Sequence, residues 1–292
     1  MSGGTAGSGR PERLPARGLR APGFLANLAR RLGTALVGIP VLLLVFFAAP
    51  PWAGVALVAA ALVVGEHEFF GLLTARGLRP MRRVGLGLAA AFFLDVAFPG
   101  WLGVPFTPLG ALLLLGFALS RGADFESVSA AAATLLGAVY VGALGGTIAA
   151  LRLLDPVGKG PWRILLLLVV VMASDTMAFF VGHALGRRKL APAVSPGKSV
   201  EGAIGGLLGG VAGAFVVRAL GFPGMPPGHA AALGAIVAVV GIVGDLDESL
   251  LKRWAGVKDS GALFPGHGGM LDRLDSLLFG APVLYYYFQY FR

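Results

Sequence analysis

Nine apolar runs leave this chain few folds to choose from. They cover about residues 32–49, 52–73, 84–99, 104–120, 130–151, 163–184, 202–221, 229–248 and 274–291, with proline and glycine at the joints. A helix needs about 20 apolar residues to cross a bilayer. The third run is short and is interrupted near Asp95, so it defines a span least sharply. The chain is 56% hydrophobic and only 13% charged, against about 25% charged in soluble domains. Its mean hydropathy is +0.80. These features exclude a soluble globular domain. They predict an all-α, polytopic membrane bundle of about nine helices.

Charge sets the expected orientation. Lys and Arg gather on the cytoplasmic side of membrane proteins. With the N-terminus inside, most of the 24 basic residues fall on inner segments, in step with the runs. That arrangement ends with the C-terminus outside. Residues 1–23 form a separate basic tail, rich in Gly, Pro and Arg and without apolar periodicity, which predicts disorder. Residues 24–160 read as scaffold helices and 161–292 as the catalytic part. The net charge of +9 is read as orientation and attraction to anionic lipid headgroups, with no nucleic-acid partner. There are no cysteines, which excludes disulfide and thiolate chemistry. The Ala, Gly and Arg bias suggests a GC-rich bacterial genome, and hence a bacterial inner membrane.

Polar chemistry is concentrated in Ser249–Asp275. This stretch holds Ser249, Lys252, Arg253, Lys258, Asp259, His267, Gly268, Asp272, Arg273 and Asp275. The preceding helix carries Asp245 and Glu248. Positions three and four apart share a helix face, so Asp245, Glu248, Ser249 and Lys252 point one way. Asp272 and Asp275 share a face of the next helix. Carboxylates beside Lys and Arg, with glycine around His267, suit a hard cation and phosphate groups.

A second stretch runs from Ala173 to Gly202. Asp175 follows ten apolar residues, so its carboxylate is costly unless it meets a cation or a polar cavity. The loop after it holds Arg187, Arg188, Lys189, Ser195, Lys198 and Ser199, and ends at Glu201. Ser199 is placed to cap the next helix and leave its N-terminus facing a phosphate.

Both stretches resemble signatures of the phosphatidate cytidylyltransferases. Ser249–Asp275 fills S-x-x-K-R-x4-K-D-x4-F-P-G-H-G-G-x-x-D-R-x-D without a gap. The upstream stretch is similar to the family's S-D-x-x-A-[YF] block and its S-P-K-K-[ST]-x-E-G segment. It departs at Gly197, where the family usually has the first lysine of a pair. The resemblance covers about residues 170–280. It implies transfer of the cytidylyl group of CTP to phosphatidate, with Mg²⁺ as cofactor, as one ion or two. It implies Asp245 as the central metal ligand and Asp175 as the second. Glu248 is a further candidate for the metal, with Asp272 and Asp275 supporting it or orienting cations. Lys198, Lys252, Arg253, Lys258 and Arg273 would hold the triphosphate and the lipid phosphate, together with Ser195, Ser199, Glu201, Ser249, Asp259 and Gly268. His267 would donate to leaving pyrophosphate or serve as a structural hydrogen bonder.

Two other readings stay open. One is the same chemistry on another membrane lipid phosphate. The other is an ion-coupled transporter with Asp175 and Asp245 as ion sites, which predicts internal repeats that this sequence does not show. The remaining polar clusters read as structural: Glu66, His67 and Glu68 are within reach of Arg76 or Arg79, and Asp95 is similar. The glycines from Gly202 to Gly213 permit close helix packing, inside the chain or in a homodimer.

Overall fold

The computed structural model describes residues 36–101, 103–122, 124–155, 157–263 and 268–291. The basic tail and His267 lie outside the described residues. Every apolar run becomes a helix. These are α1 (Leu36–Ala48), α2 (Pro51–Ala75), α3 (Arg82–Ala97), α4 (Phe106–Arg121), α5 (Phe125–Leu153), α6 (Gly160–Leu185), α7 (Val200–Gly221), α8 (Pro227–Ala255) and α9 (Leu271–Tyr290). Among the described residues five of them, α2 and α5 to α8, are long and apolar enough to cross a membrane.

Proline opens α2, α6 and α8, where its missing N–H costs nothing. Asp124 caps α5 by accepting from the Ser127 amide at 2.7 Å. Gly256, with φ of 77°, ends α8 in the left-handed conformation. Asp95 proves structural. Its carboxylate accepts from the Thr107 amide and hydroxyl at 3.0 and 2.7 Å, tying α3 to the start of α4.

Burial differs sharply between helices. The apolar window of α5 is 72% buried, whereas those of α6, α7 and α8 are only 33–39% buried. So α5 is a central helix, and the others turn leucines and valines outward as a lipid-facing surface requires. A six-residue π segment, Ala138–Ala143, lies within α5. There Gly142 rests on the Ala89 backbone of α3. The main core joins Phe69 and Phe70 of α2, Leu151 of α5, Leu166 and Leu167 of α6, Val237 of α8 and Leu278 of α9, all nearly inaccessible.

The glycines of α7 serve internal packing on two sides. Gly202, Gly206, Gly209 and Gly213 meet α6, while Gly210 meets Gly234 and Ala238 of α8. A Cβ at Gly209 would stand 2.6 Å from the Ala173 carbonyl oxygen. Without a hydrophobic driving force between helices in lipid, such close backbone approach supplies the association. Gly209→Val is therefore expected to destabilise the protein by about 1–3 kcal/mol, the usual cost of overpacking. Gly224→Ala, whose Cβ would meet nothing within 4 Å, should be near neutral. Thermal unfolding in detergent checks both.

The loop between α6 and α7 is a β-hairpin. Strand β1 (Lys189–Ala191) pairs antiparallel with β2 (Ser195–Ser199), with Lys189 opposite Ser199 and Ala191 opposite Ser195. Ser199 then caps α7, its hydroxyl accepting from the Gly202 amide at 3.1 Å.

Candidate active site

The hairpin forms one wall of a cleft of about 600 Å³. Asp175, Phe179, Gly182 and His183 of α6 line it, with Lys189, Leu190, Gly197, Lys198 and Ser199 of the hairpin. Gly202 and Ala203 of α7 and Ile242 and Asp245 of α8 complete it. The Lys198 ammonium lies 2.7 Å from the Asp245 carboxylate, with both side chains only partly exposed. Asp175 lies within electrostatic reach of Asp245, Lys198 and Arg273. The two stretches singled out by sequence thus meet across about 70 residues of chain.

A second charge cluster adjoins the first. Lys252 pairs with Glu248 at 2.8 Å, one turn back on α8, and with Asp272 of α9 at 2.6 Å. Glu248 is fully buried. Asp272 also accepts from the Ser260 amide at 3.0 Å, the Ser260 hydroxyl at 2.9 Å and the Gly269 amide at 2.7 Å. These four donors offset the desolvation of the Asp272 carboxylate. Asp275 connects the clusters, within electrostatic reach of Asp245, Asp175 and Glu248.

The remaining sequence candidates fall around these groups. The Ser249 hydroxyl stands 3.4 Å from Asp245. Ser195 is at the far end of β2 from Lys198. Glu201 takes the Arg187 and Arg188 amides at 3.0 and 3.2 Å, closing the hairpin base. Arg253 reaches the Val194 carbonyl at the hairpin turn at 3.4 Å. Lys258 and Asp259 are exposed in the loop after α8 and do not line the cleft. Gly268, with φ of 79°, sits against the Asp272 carboxylate, where a Cβ has no room. At Gly197, by contrast, a Cβ would meet nothing within 4 Å. The absence of a lysine there has no steric cause.

A model of the cytidylyltransferase family matches residues 29–291. This chain belongs to that family. It is 33% identical to a phosphatidate cytidylyltransferase of Synechocystis over 264 residues, covering 81% of this chain and 88% of that one. It is 41% identical to one of Bacillus subtilis over 151 residues, covering 52% and 55%. It is 40% identical to one of Brucella abortus over 183 residues, covering 60% and 65%.

A family of nucleotidyl transfer enzymes handles triphosphates, which ordinarily arrive with a divalent cation, and the donor set here suits one. The cleft presents the hard oxygens of Asp175 and Asp245. Among the described residues, Asp175, Asp245, Glu248, Asp272 and Asp275 outnumber the cations that face them, Lys198, Lys252 and Arg273. Among the described residues no three acidic or histidine side chains form a ready cage. One or two carboxylates, with water and phosphate completing the sphere, is how Mg²⁺ binds.

Sequence reasoning missed one group at the cleft. His183 lines the cleft, its ring stacked on Phe179 with centroids 6.1 Å apart. Helical spacing from Asp175 would have placed it two turns on, along the same face. Glu68 proves to be a long-range hydrogen-bond acceptor. Among the described residues neither Arg76 nor Arg79 pairs with Glu66 or Glu68, and Arg79 turns outward to Glu126 at 2.8 Å. Glu66 is buried against Gly137 and Phe70 instead.

Proposed function

We propose that this chain transfers the cytidylyl group of CTP to phosphatidate, giving CDP-diacylglycerol and pyrophosphate. One observation carries the reading beyond family membership. Lys198 and Asp245 pair inside a cleft that Asp175 also lines, so one cavity offers anionic and cationic partners to a metal-bound triphosphate.

A phosphatidate oxygen attacks the α-phosphorus of CTP. The bond from that phosphorus to the bridging oxygen breaks, and its electrons leave with pyrophosphate. Both reactants are anionic, so charge must be offset as it shifts. Asp175 and Asp245 would hold Mg²⁺, which supplies Lewis-acid stabilisation of the reacting phosphoryl oxygens. Lys198 is freed from Asp245 to follow the triphosphate. Arg273 serves the phosphates from α9, and the Lys252–Asp272 pair fixes the loop around them. The outward-facing Phe179, which lines the cleft and is 67% exposed, gives it an apolar wall through which lipid tails remain in the bilayer.

All nine helices would span the membrane, with the N-terminus cytoplasmic. The far ends of α2, α4, α6 and α8 then share the side that carries both charge clusters, which supports a cytoplasmic active site in the inner membrane. A homodimer would have to use surfaces other than the α7 glycines, which are covered internally.

The test is pyrophosphate release from CTP by purified protein in mixed micelles. Turnover should require both phosphatidate and Mg²⁺, and EDTA should reduce it by at least about 100-fold. Turnover without lipid, or full activity in EDTA, would overturn the assignment. Turnover with another lipid phosphate but not phosphatidate would move the substrate and leave the chemistry.

A further inference from the structure

We infer that Glu68, on α2, is a positioning residue for the active site, acting through contacts 192 to 203 residues away in sequence. The inference rests on the transferase reading above. Glu68 is half-buried near the end of α2. One of its oxygens accepts from the Met270 amide at 3.1 Å. The other accepts from the Leu271 amide at 2.8 Å and the Ser260 hydroxyl at 3.0 Å.

Those amides open α9. The first amides of a helix have no partner within it, and Met270 at the N-cap supplies none from its side chain. Glu68 acts as a cap delivered from another helix, its negative charge favoured by the helix dipole. Directly after Leu271 comes Asp272, which holds Lys252. Ser260 lies between the two carboxylates, 3.0 Å from Glu68 and 2.9 Å from Asp272. A hydroxyl has one proton, so it serves one of them at a time. The pair is held face to face because backbone amides and Lys252 satisfy the rest. Gly261 and Gly269 line the Glu68 carboxylate so closely that a Cβ at either would collide with it. The result is an unbroken chain from Glu68 through Ser260 and the α9 amides to Asp272, Lys252 and Glu248. It ties α2 to the second charge cluster.

The experiment compares Glu68→Ala, Glu68→Gln, Ser260→Ala and the Glu68→Ala/Ser260→Ala double variant in CDP-diacylglycerol formation. Hydrogen exchange of peptides spanning residues 256–275 is measured alongside. Glu68→Ala should lower kcat by about 10- to 100-fold, the cost of misplacing groups from a distance. The KM for CTP should move by less than about threefold. Glu68→Gln keeps the length and one acceptor, and should recover part of kcat. The double variant should lose no more than Glu68→Ala alone, because both changes break one chain. Exchange should rise at least about fivefold in these peptides only, as loss of a cap predicts.

Glu68→Ala with wild-type kcat, losses that multiply, or unchanged exchange would each overturn the inference. If Glu68→Ala does not accumulate in membranes, Glu68→Gln with Ser260→Ala makes the same comparison, and multiplying losses sink it. If wild type forms no nucleotide lipid at all, the proposed function fails, and the exchange result still decides the positioning role.

Discussion

Asp245→Asn is expected to lower turnover by on the order of 10²–10³-fold, about 3–4 kcal/mol of lost transition-state stabilisation. The substitution keeps size and hydrogen-bonding capacity, and removes one negative charge from the cleft. That charge has two jobs. It balances Lys198 at 2.7 Å and presents a hard oxygen beside Asp175. With asparagine there, Lys198 loses its partner and the cleft loses half of its carboxylate pair. The Mg²⁺ concentration for half-maximal rate should rise by at least about tenfold, while thermal stability changes little. A metal titration of initial rates checks the first point, and unfolding in detergent the second. A variant that keeps most of its rate at low Mg²⁺ would remove Asp245 from the metal site and leave the reaction in place.

Lys198→Ala should fail in a different way. Its ammonium is the cation that balances Asp245, and it stands on β2 facing the cleft. Loss of that charge leaves the carboxylates with less positive charge nearby. Mg²⁺ should then bind more readily, and half-activation should fall below the wild-type concentration. Turnover should still drop by on the order of 10²-fold, because one charge-assisted contact to the triphosphate is gone. The KM for CTP should rise at the same time. Opposite shifts in metal requirement for two residues of one ion pair form a sharp signature. Steric damage to the cleft would move both variants in the same direction. Because a side chain at Gly197 has open space, Gly197→Lys on the Lys198→Ala background should restore part of the rate. No recovery would mean that the position of the ammonium matters as much as its charge.

The helices were legible because their signal is local. Every apolar run became a helix, since hydropathy and the turn residues between runs act over about 20 residues. The Ser199 cap and the shared face of Glu248 and Lys252 were legible for the same reason, being contacts three and four residues apart. The hairpin was not. Glu201 closes its base and Arg253 reaches it from α8, long-range contacts that a strand pattern of three and five residues does not encode.

Sequence alone therefore determined the apolar helical architecture, its punctuation and the two charged stretches that carry the chemistry. Tertiary structure decided which faces meet. It placed Asp175 against Asp245 and Lys198, and turned Lys252 toward Asp272. It buried the α7 glycines on both sides and drew Glu68 to the head of α9. The physical reason is one of range. Periodicity states which residues share a face of one helix. The partner of that face is chosen by packing and by the need to satisfy every buried charge and amide, which can be settled only when all the helices are in place.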